Sequence, residues 1–203
     1  MEPRRPSGEP TPLGWRTAAV VAASVAVAVT QALVAALAPD PDSGLRTGGS
    51  AFDWASDASS LALVLAFVAT GLWLTEARRN VERLRPEVDQ TRDAVWAWLG
   101  WIIPIVSLWF PYQVVRDVLR GRTGAPAPFL VKSWWVLFLV ASTTSFTTDH
   151  HVDASSVEWM ALDTTVGAVA TVVALGPWLL VVRRVARDQA QLLSGTAGVR
   201  AGV

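Results

Sequence analysis

The sequence predicts an all-α membrane protein with four transmembrane helices and a kinked, non-spanning segment between the second and third helices. Hydrophobic residues make up 52% of the 203-residue chain and charged residues only 17%, whereas a soluble chain usually carries about a quarter charged residues. Eleven Trp stand against one Tyr, and indole is favoured where an apolar body lies beside water, as at a bilayer interface. The third observation is the distribution of the basic residues.

Five apolar stretches follow one another along the chain. The first, residues 17–38, contains no charge and would form about 33 Å of helix, enough to cross a bilayer. Its basic N-terminal flank and small residues near its end are also features of a signal peptide. Its length, and Pro39 directly after it, favour a signal anchor instead. The other stretches are residues 58–75, 94–115, 131–147 and 160–182.

The basic residues decide how these stretches cross, because short loops rich in Lys and Arg stay in the cytoplasm. If all five span, the two sides receive eight and nine of the 17 basic residues. If residues 94–115 enter and leave on one side, the split becomes sixteen to one, with only Arg46 outside. We therefore expect four spans in a bacterial cytoplasmic membrane, with both termini in the cytoplasm. The sixteen inside residues are Arg4, Arg5, Arg16, Arg78, Arg79, Arg83, Arg85, Arg92, Arg116, Arg120, Arg122, Lys132, Arg183, Arg184, Arg187 and Arg200.

Two prolines interrupt the third stretch. Pro104 lies in its middle and Pro111 follows seven residues later, and each removes a helix hydrogen bond. Four indoles flank Pro104, a density that suits the headgroup boundary. We expect residues 94–120, called the Trp/Pro segment below, to be re-entrant or to lie flat at the interface. A re-entrant form requires packing against other helices. The four indoles are Trp96, Trp98, Trp101 and Trp109.

The end of the Trp/Pro segment has an amphipathic pattern that predicts an interfacial helix. Its expected apolar face carries Val115, Val118 and Leu119. Its expected polar face carries Gln113, Arg116, Asp117 and Arg120. In the preceding loop, residues 76–93, charges of both signs alternate, and we expect helical extensions there. The domain organisation that follows is a single membrane domain, 15–193, between flexible tails at 1–14 and 194–203.

A motif of fixed spacing lies in and before the Trp/Pro segment and consists of Arg79, Asn80, Trp98, Trp101, Pro104, Leu108 and Pro111. This motif resembles the signature of the bacterial "domain of unknown function 4328" membrane family. Ser107 stands where that family has Asn, and the stretch 119–121 replaces its Trp-containing end. The resemblance covers roughly residues 61–182. It implies an integral membrane protein and no chemical activity.

Three ionisable residues are weak candidates for chemistry. His150 and His151 are the only two His in the chain, but adjacent His on a loop rarely converge on one metal ion without a third fixed ligand. We expect a solvated outer loop, with the pH response common to any exposed His, and neither metal nor cofactor. Asp163 lies near the start of the last span, where it is either an interfacial residue or part of an ion or proton path. We favour the interfacial role.

Small and polar side chains within the spans suggest how the helices pack. Small residues recur every fourth position in the first span, either as a contact stripe or from composition alone. Hydroxyls such as those of Thr30 and Ser142 could form hydrogen bonds between helices. The stripe consists of Ser24, Ala28, Ala32 and Ala36.

The sequence narrows the classes of function. It contains no Gly-x-Ser-x-Gly, His-Glu-x-x-His, Gly-x-Gly-x-x-Gly or Gly-x-x-x-x-Gly-Lys motif. Zero Cys excludes thiolate and Cys-ligated metal chemistry, and zero net charge gives no indication of nucleic-acid binding. We expect a non-enzymatic interaction or sensing module; the alternative is an oligomeric transporter or channel subunit. The expected partners are the bilayer, anionic lipid headgroups, and another copy or another membrane protein.

Overall fold

The computed structural model describes residues 10–38, 51–84, 93, 95–103, 105–120, 128–144 and 154–201. These ranges contain six α-helices and no strand, so the all-α class is confirmed for them. A 3₁₀ turn (Val106–Leu108) lies between the third and fourth helices. The helices are α1 (Gly14–Ala36), α2 (Ala51–Leu84), α3 (Trp96–Ile102), α4 (Phe110–Arg120), α5 (Pro128–Thr144) and α6 (Ala154–Ala201).

Three helices of the described chain are long and apolar enough to cross a membrane. They are α1, α2 and the part Leu162–Ser194 of α6. The apolar part of α5, Phe129–Ser142, is shorter. All 17 residues of α5 would span about 26 Å at about 1.5 Å per residue, against a hydrocarbon core of about 30 Å. The structure is therefore compatible with a membrane protein, and the count of four spans stays a prediction.

The helices extend past the apolar stretches that predict them. Helix α2 has 34 residues and includes the expected helical extension after Thr75, as far as Leu84. Helix α6 has 48 residues and continues to Ala201, whereas the sequence predicts a flexible tail from residue 194. An existing helix grows without a new nucleation cost. The apolar stretch in the sequence therefore predicts the part of a helix that suits the bilayer, but it does not predict where the helix begins and ends.

The chain divides into two compact units. The first consists of Met1–Val20, Val68–Lys132 and Leu179–Val203, and the second of Val21–Phe67 and Ser133–Trp178. In the first unit, apolar and polar side chains of α2, α4 and α6 are buried. This unit contains the described part of the Trp/Pro segment. Its buried polar residues are Thr70, Glu76, Arg78, Asn80, Asp117 and Gln189.

In the second unit, Trp178 of α6 contacts both α1 and α5. Its Nε1 donates to Ser24 Oγ at 2.9 Å, and its ring stacks on Trp134, with centroids 4.7 Å apart. Ala28 is buried, so Ser24 and Ala28 of the small-residue stripe do pack. Ala32 instead lines an open apolar cleft with residues of α6.

The two hydroxyls expected to join helices bond within their own helices. Thr30 Oγ1 donates to the carbonyl of Ala26 at 2.9 Å, and Ser142 Oγ donates to that of Phe138 at 2.8 Å. A hydroxyl in a helix can satisfy its donor on the preceding turn. These two residues therefore do not supply the predicted bonds between helices, and Ser24 does.

The Trp/Pro segment is broken into three short pieces. Helix α3 has seven residues, the 3₁₀ turn three and α4 eleven. The chain leaves α3 at Ile103, whose φ of −81° and ψ of 114° are extended. Because a proline ring clashes with a helical residue before it, Pro104 imposes this conformation on Ile103. Pro111 lies in the first turn of α4, where its missing N–H costs no helix hydrogen bond.

Helix α4 buries the face that its sequence predicts, with one correction. Val115, Val118 and Leu119 are buried as expected. Asp117, expected on the polar face, is only 2% exposed. Phe110 and Val114 are also buried. Each residue turns a helix by about 100°, so Phe110 and Val114 extend the buried face of α4 around the helix axis as far as position 117.

Candidate functional site

A buried amide forms the centre of the first unit. Asn80 of α2 is 0% exposed. Its Nδ2 donates to the carbonyl of Thr11 and to Oε1 of Gln189, both at 2.8 Å, and its Oδ1 accepts from the backbone N–H of Thr11 at 3.1 Å. Gln189 of α6 in turn donates to the carbonyl of Ala77 at 2.8 Å. One side chain thus joins α2, α6 and the residues before α1.

Glu76 lies one turn before Asn80 on α2 and holds the same segment. Its Oε1 accepts a hydrogen bond from the hydroxyl of Thr11. Arg79 Nη1 and Arg83 Nη1 each lie 3.8 Å from a carboxylate oxygen of Glu76, so the buried carboxylate has two cations beside it. We call residues 10–13 the strap, and Glu76, Asn80 and Gln189 the clamp.

Trp98 of α3 packs closely on α2. A Cβ built on Gly71 would come within 2.7 Å of ring carbons of Trp98, a distance that only glycine allows. The indole Nε1 donates to Thr75 Oγ1 at 3.1 Å, and Thr75 Oγ1 donates to the carbonyl of Gly71 at 2.7 Å. Thr75 therefore holds Trp98, while its neighbour Glu76 holds the strap.

Helices α3 and α4 are joined by aromatic contacts. The rings of Trp96 and Phe110 meet edge to face, with centroids 4.5 Å apart, a favoured aromatic geometry. Gly100 lets the helices approach, since a Cβ there would be 3.2 Å from Cβ of Phe110. These contacts fold the two short helices onto each other.

Several large apolar side chains of the Trp/Pro segment are exposed. Ile105 is 70% exposed, and other large apolar side chains of the segment are also open. So many exposed apolar side chains in one short segment are unusual on a protein surrounded by water. The exposed residues are Val95, Leu99, Ile102, Ile103, Ile105, Leu108 and Trp109.

Three residues of the family-like motif are held in the first unit. Asn80, Trp98 and Pro111 are buried or hydrogen-bonded there, each with its own partners. Arg79, whose side chain is 53% exposed, pairs with Glu76, and Leu108 is exposed. Trp101 is half-buried in α3. Pro104 lies outside the described residues.

Of the weak chemical candidates, Asp163 lies within the described residues. Asp163 is half-buried in α6 and belongs to the second unit. His150 and His151 lie outside the described residues. Within the described ranges, no group of three or more His, Cys, Asp or Glu could hold a metal ion.

Sequence reasoning did not single out Thr11, Glu76, Gln189 or Gly71. No pattern connects Asn80 with Gln189, which is 109 residues away. Glu76 carried a weak signal, because it is an acidic residue placed directly after an apolar span and before several Arg. Asn80 uses both amide hydrogens and its carbonyl in hydrogen bonds, so its amide is satisfied within the protein.

Comparison with known proteins agrees with the motif. No curated protein and no solved structure matches the chain. The family model described as "Domain of unknown function (DUF4328)" matches residues 47–190, which is more than half of the chain and includes the whole clamp. The resemblance inferred from the Trp and Pro spacing is thereby confirmed, and the chain belongs to the DUF4328 family.

Proposed function

We propose that this chain is a small, non-enzymatic, multi-pass protein of the bacterial cytoplasmic membrane, and that its Trp/Pro segment is an interaction or sensing element at the cytoplasmic interface. The broken helix carries the proposal. Pieces of seven, three and eleven residues are each far below the about 20 residues that a straight transmembrane helix needs. A chain broken in this way favours a segment that enters and leaves on one side.

The two sides of the segment support shallow insertion. Trp98 and Phe110 pack inward, as a re-entrant segment requires, because irregular backbone at membrane depth must be shielded by protein. The outward side chains include Ile102 and Ile105, both exposed. Acyl chains would cover these side chains and remove the cost of exposing them to water.

The charges of the first unit suit a cytoplasmic membrane surface. Arg79, Arg183 and Arg187 are exposed, and each basic residue near an anionic leaflet contributes about 1 kcal/mol to lipid attraction. Anionic headgroups are therefore the first partners that we propose. A second copy or another membrane protein would contact the same interfacial segment.

Thiol labelling tests the arrangement, because the chain has no native Cys. Single cysteines are introduced as Ser43→Cys, Thr123→Cys and Ser155→Cys and treated in intact cells with an impermeant maleimide. Positions 43 and 155 should react from outside, and position 123 only after permeabilisation. Ser7→Cys serves as a second inside position. Reaction of position 123 in intact cells would show that residues 94–115 span, and the proposal would fail.

Photo-crosslinking tests the interaction role. A benzophenone amino acid at Ile105 should give a discrete crosslinked product with a membrane protein or a headgroup-bearing lipid in native membranes. The matched control is Val64, which is exposed on α2 inside the predicted second span. If both positions give the same diffuse lipid products, the segment has no partner of its own.

A further inference from the structure

The strap is held as a bound peptide would be. Asn80 pairs with both the N–H and the C=O of Thr11, at 3.1 and 2.8 Å. A side-chain amide that bonds both polar groups of one residue recognises extended backbone whatever its sequence. The pairing joins residues 69 positions apart, so it is a tertiary contact and no part of a local turn.

Two further contacts add sequence selectivity. The hydroxyl of Thr11 donates to the Glu76 carboxylate, which selects a Ser or Thr at that position. Two residues later the Leu13 side chain is only 5% exposed, which selects an apolar residue. Two residues of the strap thus contribute to its binding, Thr11 through its backbone and hydroxyl and Leu13 through a buried apolar side chain.

The match to the family model includes the clamp residues but not the strap. Glu76, Asn80 and Gln189 all lie within residues 47–190, whereas the strap precedes them. The clamp is therefore carried by the family domain, and the segment that fills it here is contributed by the sequence outside that domain.

We propose that the clamp is a binding site for an extended peptide segment that presents a Ser or Thr followed two residues later by an apolar side chain. The strap is its resident, displaceable occupant. This proposal depends only on hydrogen bonds within the first unit, so it goes beyond the proposed membrane arrangement and stands apart from it.

The geometry allows exchange. Thr11 itself is exposed although its polar groups are bonded, so a competing segment could reach it. The strap meets α1 at Leu13, whose carbonyl accepts from the N–H of Thr17 at 2.8 Å, so release of Leu13 would give up this one bond at the start of α1. A tethered occupant has an effective concentration of about millimolar, so a peptide added in trans binds the intact chain weakly.

The test uses a variant of the whole 203-residue chain in which the strap no longer fills the site. Thr11→Pro removes the N–H that Asn80 accepts and the hydroxyl that Glu76 accepts, and leaves the clamp residues unchanged. The probe is a fluorescein-labelled peptide of residues 6–15, followed by anisotropy with the protein in nanodiscs. We expect saturable binding to Thr11→Pro, at least about tenfold tighter than to the unmodified chain.

Two controls define the site. Adding Asn80→Ala to Thr11→Pro should abolish binding, whereas adding Gln191→Ala, an exposed position on α6, should leave it unchanged. A peptide with Pro in place of Thr should not bind. Equal binding to the unmodified chain and Thr11→Pro, binding that survives Asn80→Ala, or no binding to a folded Thr11→Pro would each overturn the proposal.

A second measurement leaves Thr11 and Leu13 unchanged. A nitroxide attached through Pro10→Cys should be immobile in the otherwise unmodified chain and become mobile when the peptide is added in excess. A label that stays immobile at every peptide concentration would show that the strap is a permanent part of the fold.

Discussion

The indole of Trp98 lies against Gly71, so close that a Cβ on the glycine would come within 2.7 Å of Cη2 and Cζ3. The same indole donates to Thr75, one turn further along α2. The lack of a side chain at Gly71 and the hydroxyl of Thr75 together fix α3 on α2. The position of the Trp/Pro segment therefore depends on two residues that lie outside it.

Gly71→Ala should destabilise the protein, because a methyl group there has no room beside Trp98. Overpacking of this kind costs about 1–3 kcal/mol, to be measured as a fall in Tm in detergent. The matched control is Gly14→Ala, where a Cβ meets nothing within 4 Å, and Tm should stay the same or rise slightly. In a Trp98→Ala background the penalty of Gly71→Ala should disappear; a penalty that persists would place its cause elsewhere.

Asn80→Ala should destabilise the first unit strongly. It removes three hydrogen bonds and leaves Oε1 of the buried Gln189 without its donor, whereas the exposed Thr11 can bond to water. Unsatisfied buried groups cost about 1–3 kcal/mol each, so we expect Tm to fall by about 4–8 °C for a loss of about 2 kcal/mol in a chain of this size. Gln191→Ala, on the exposed side of α6, is the control. Equal shifts for the two variants would contradict the assigned network.

The membrane depth of Ile105 should lie between that of the surface and that of a span. A nitroxide at Ile105→Cys should collide with oxygen more than one at Asp93→Cys and less than one at Val64→Cys. All three positions are exposed in the structure, so the differences report the solvent and not burial. If the Ile105 label collides with oxygen as often as the Val64 label, the segment crosses the membrane. If it collides as rarely as the Asp93 label, the segment is not inserted.

The Trp/Pro segment should matter more for cellular function than the His150–His151 pair. Replacing both His150 and His151 with Ala should leave complementation of a deletion strain intact. Replacing Trp101 and Pro104 with Ala should abolish complementation while membrane abundance stays near normal. The reverse result would favour a metal-binding or pH-sensing role for the two His.

The sequence predicts the helices better than the site. Apolar runs locate α1, α2, α5 and α6, because a helix suited to a bilayer needs mainly a long stretch of apolar residues, and such a stretch is visible in the sequence itself. The break at Ile103 also follows from the sequence, since Pro104 restricts the residue before it. Helix ends are less predictable, and α2 and α6 extend well past their apolar cores.

The clamp illustrates what sequence patterns miss. Asn80 and Gln189 meet through tertiary packing across 109 residues, and neither has a periodic signal. The burial of Asp117 could not be predicted either, because it depends on how much of the circumference of α4 is packed against the rest of the unit. In the family-like motif Asn80 could be singled out by its type, but its partners could be identified only from the fold.

Helix α6 is continuous from Gln189 to Ala201, and Gln189 is fixed to α2 by two hydrogen bonds. In a continuous helix each residue turns the backbone by a fixed angle about the helix axis. The attachment of Gln189 to α2 therefore also sets the rotation of the helix backbone that follows it. Deleting one residue between Gln189 and Ala201 would turn everything beyond it by about 100° and shift it by about 1.5 Å. The rotational position of the end of α6 is therefore set by the hydrogen bonds of Gln189, and a ligand or fusion attached there acquires a fixed direction.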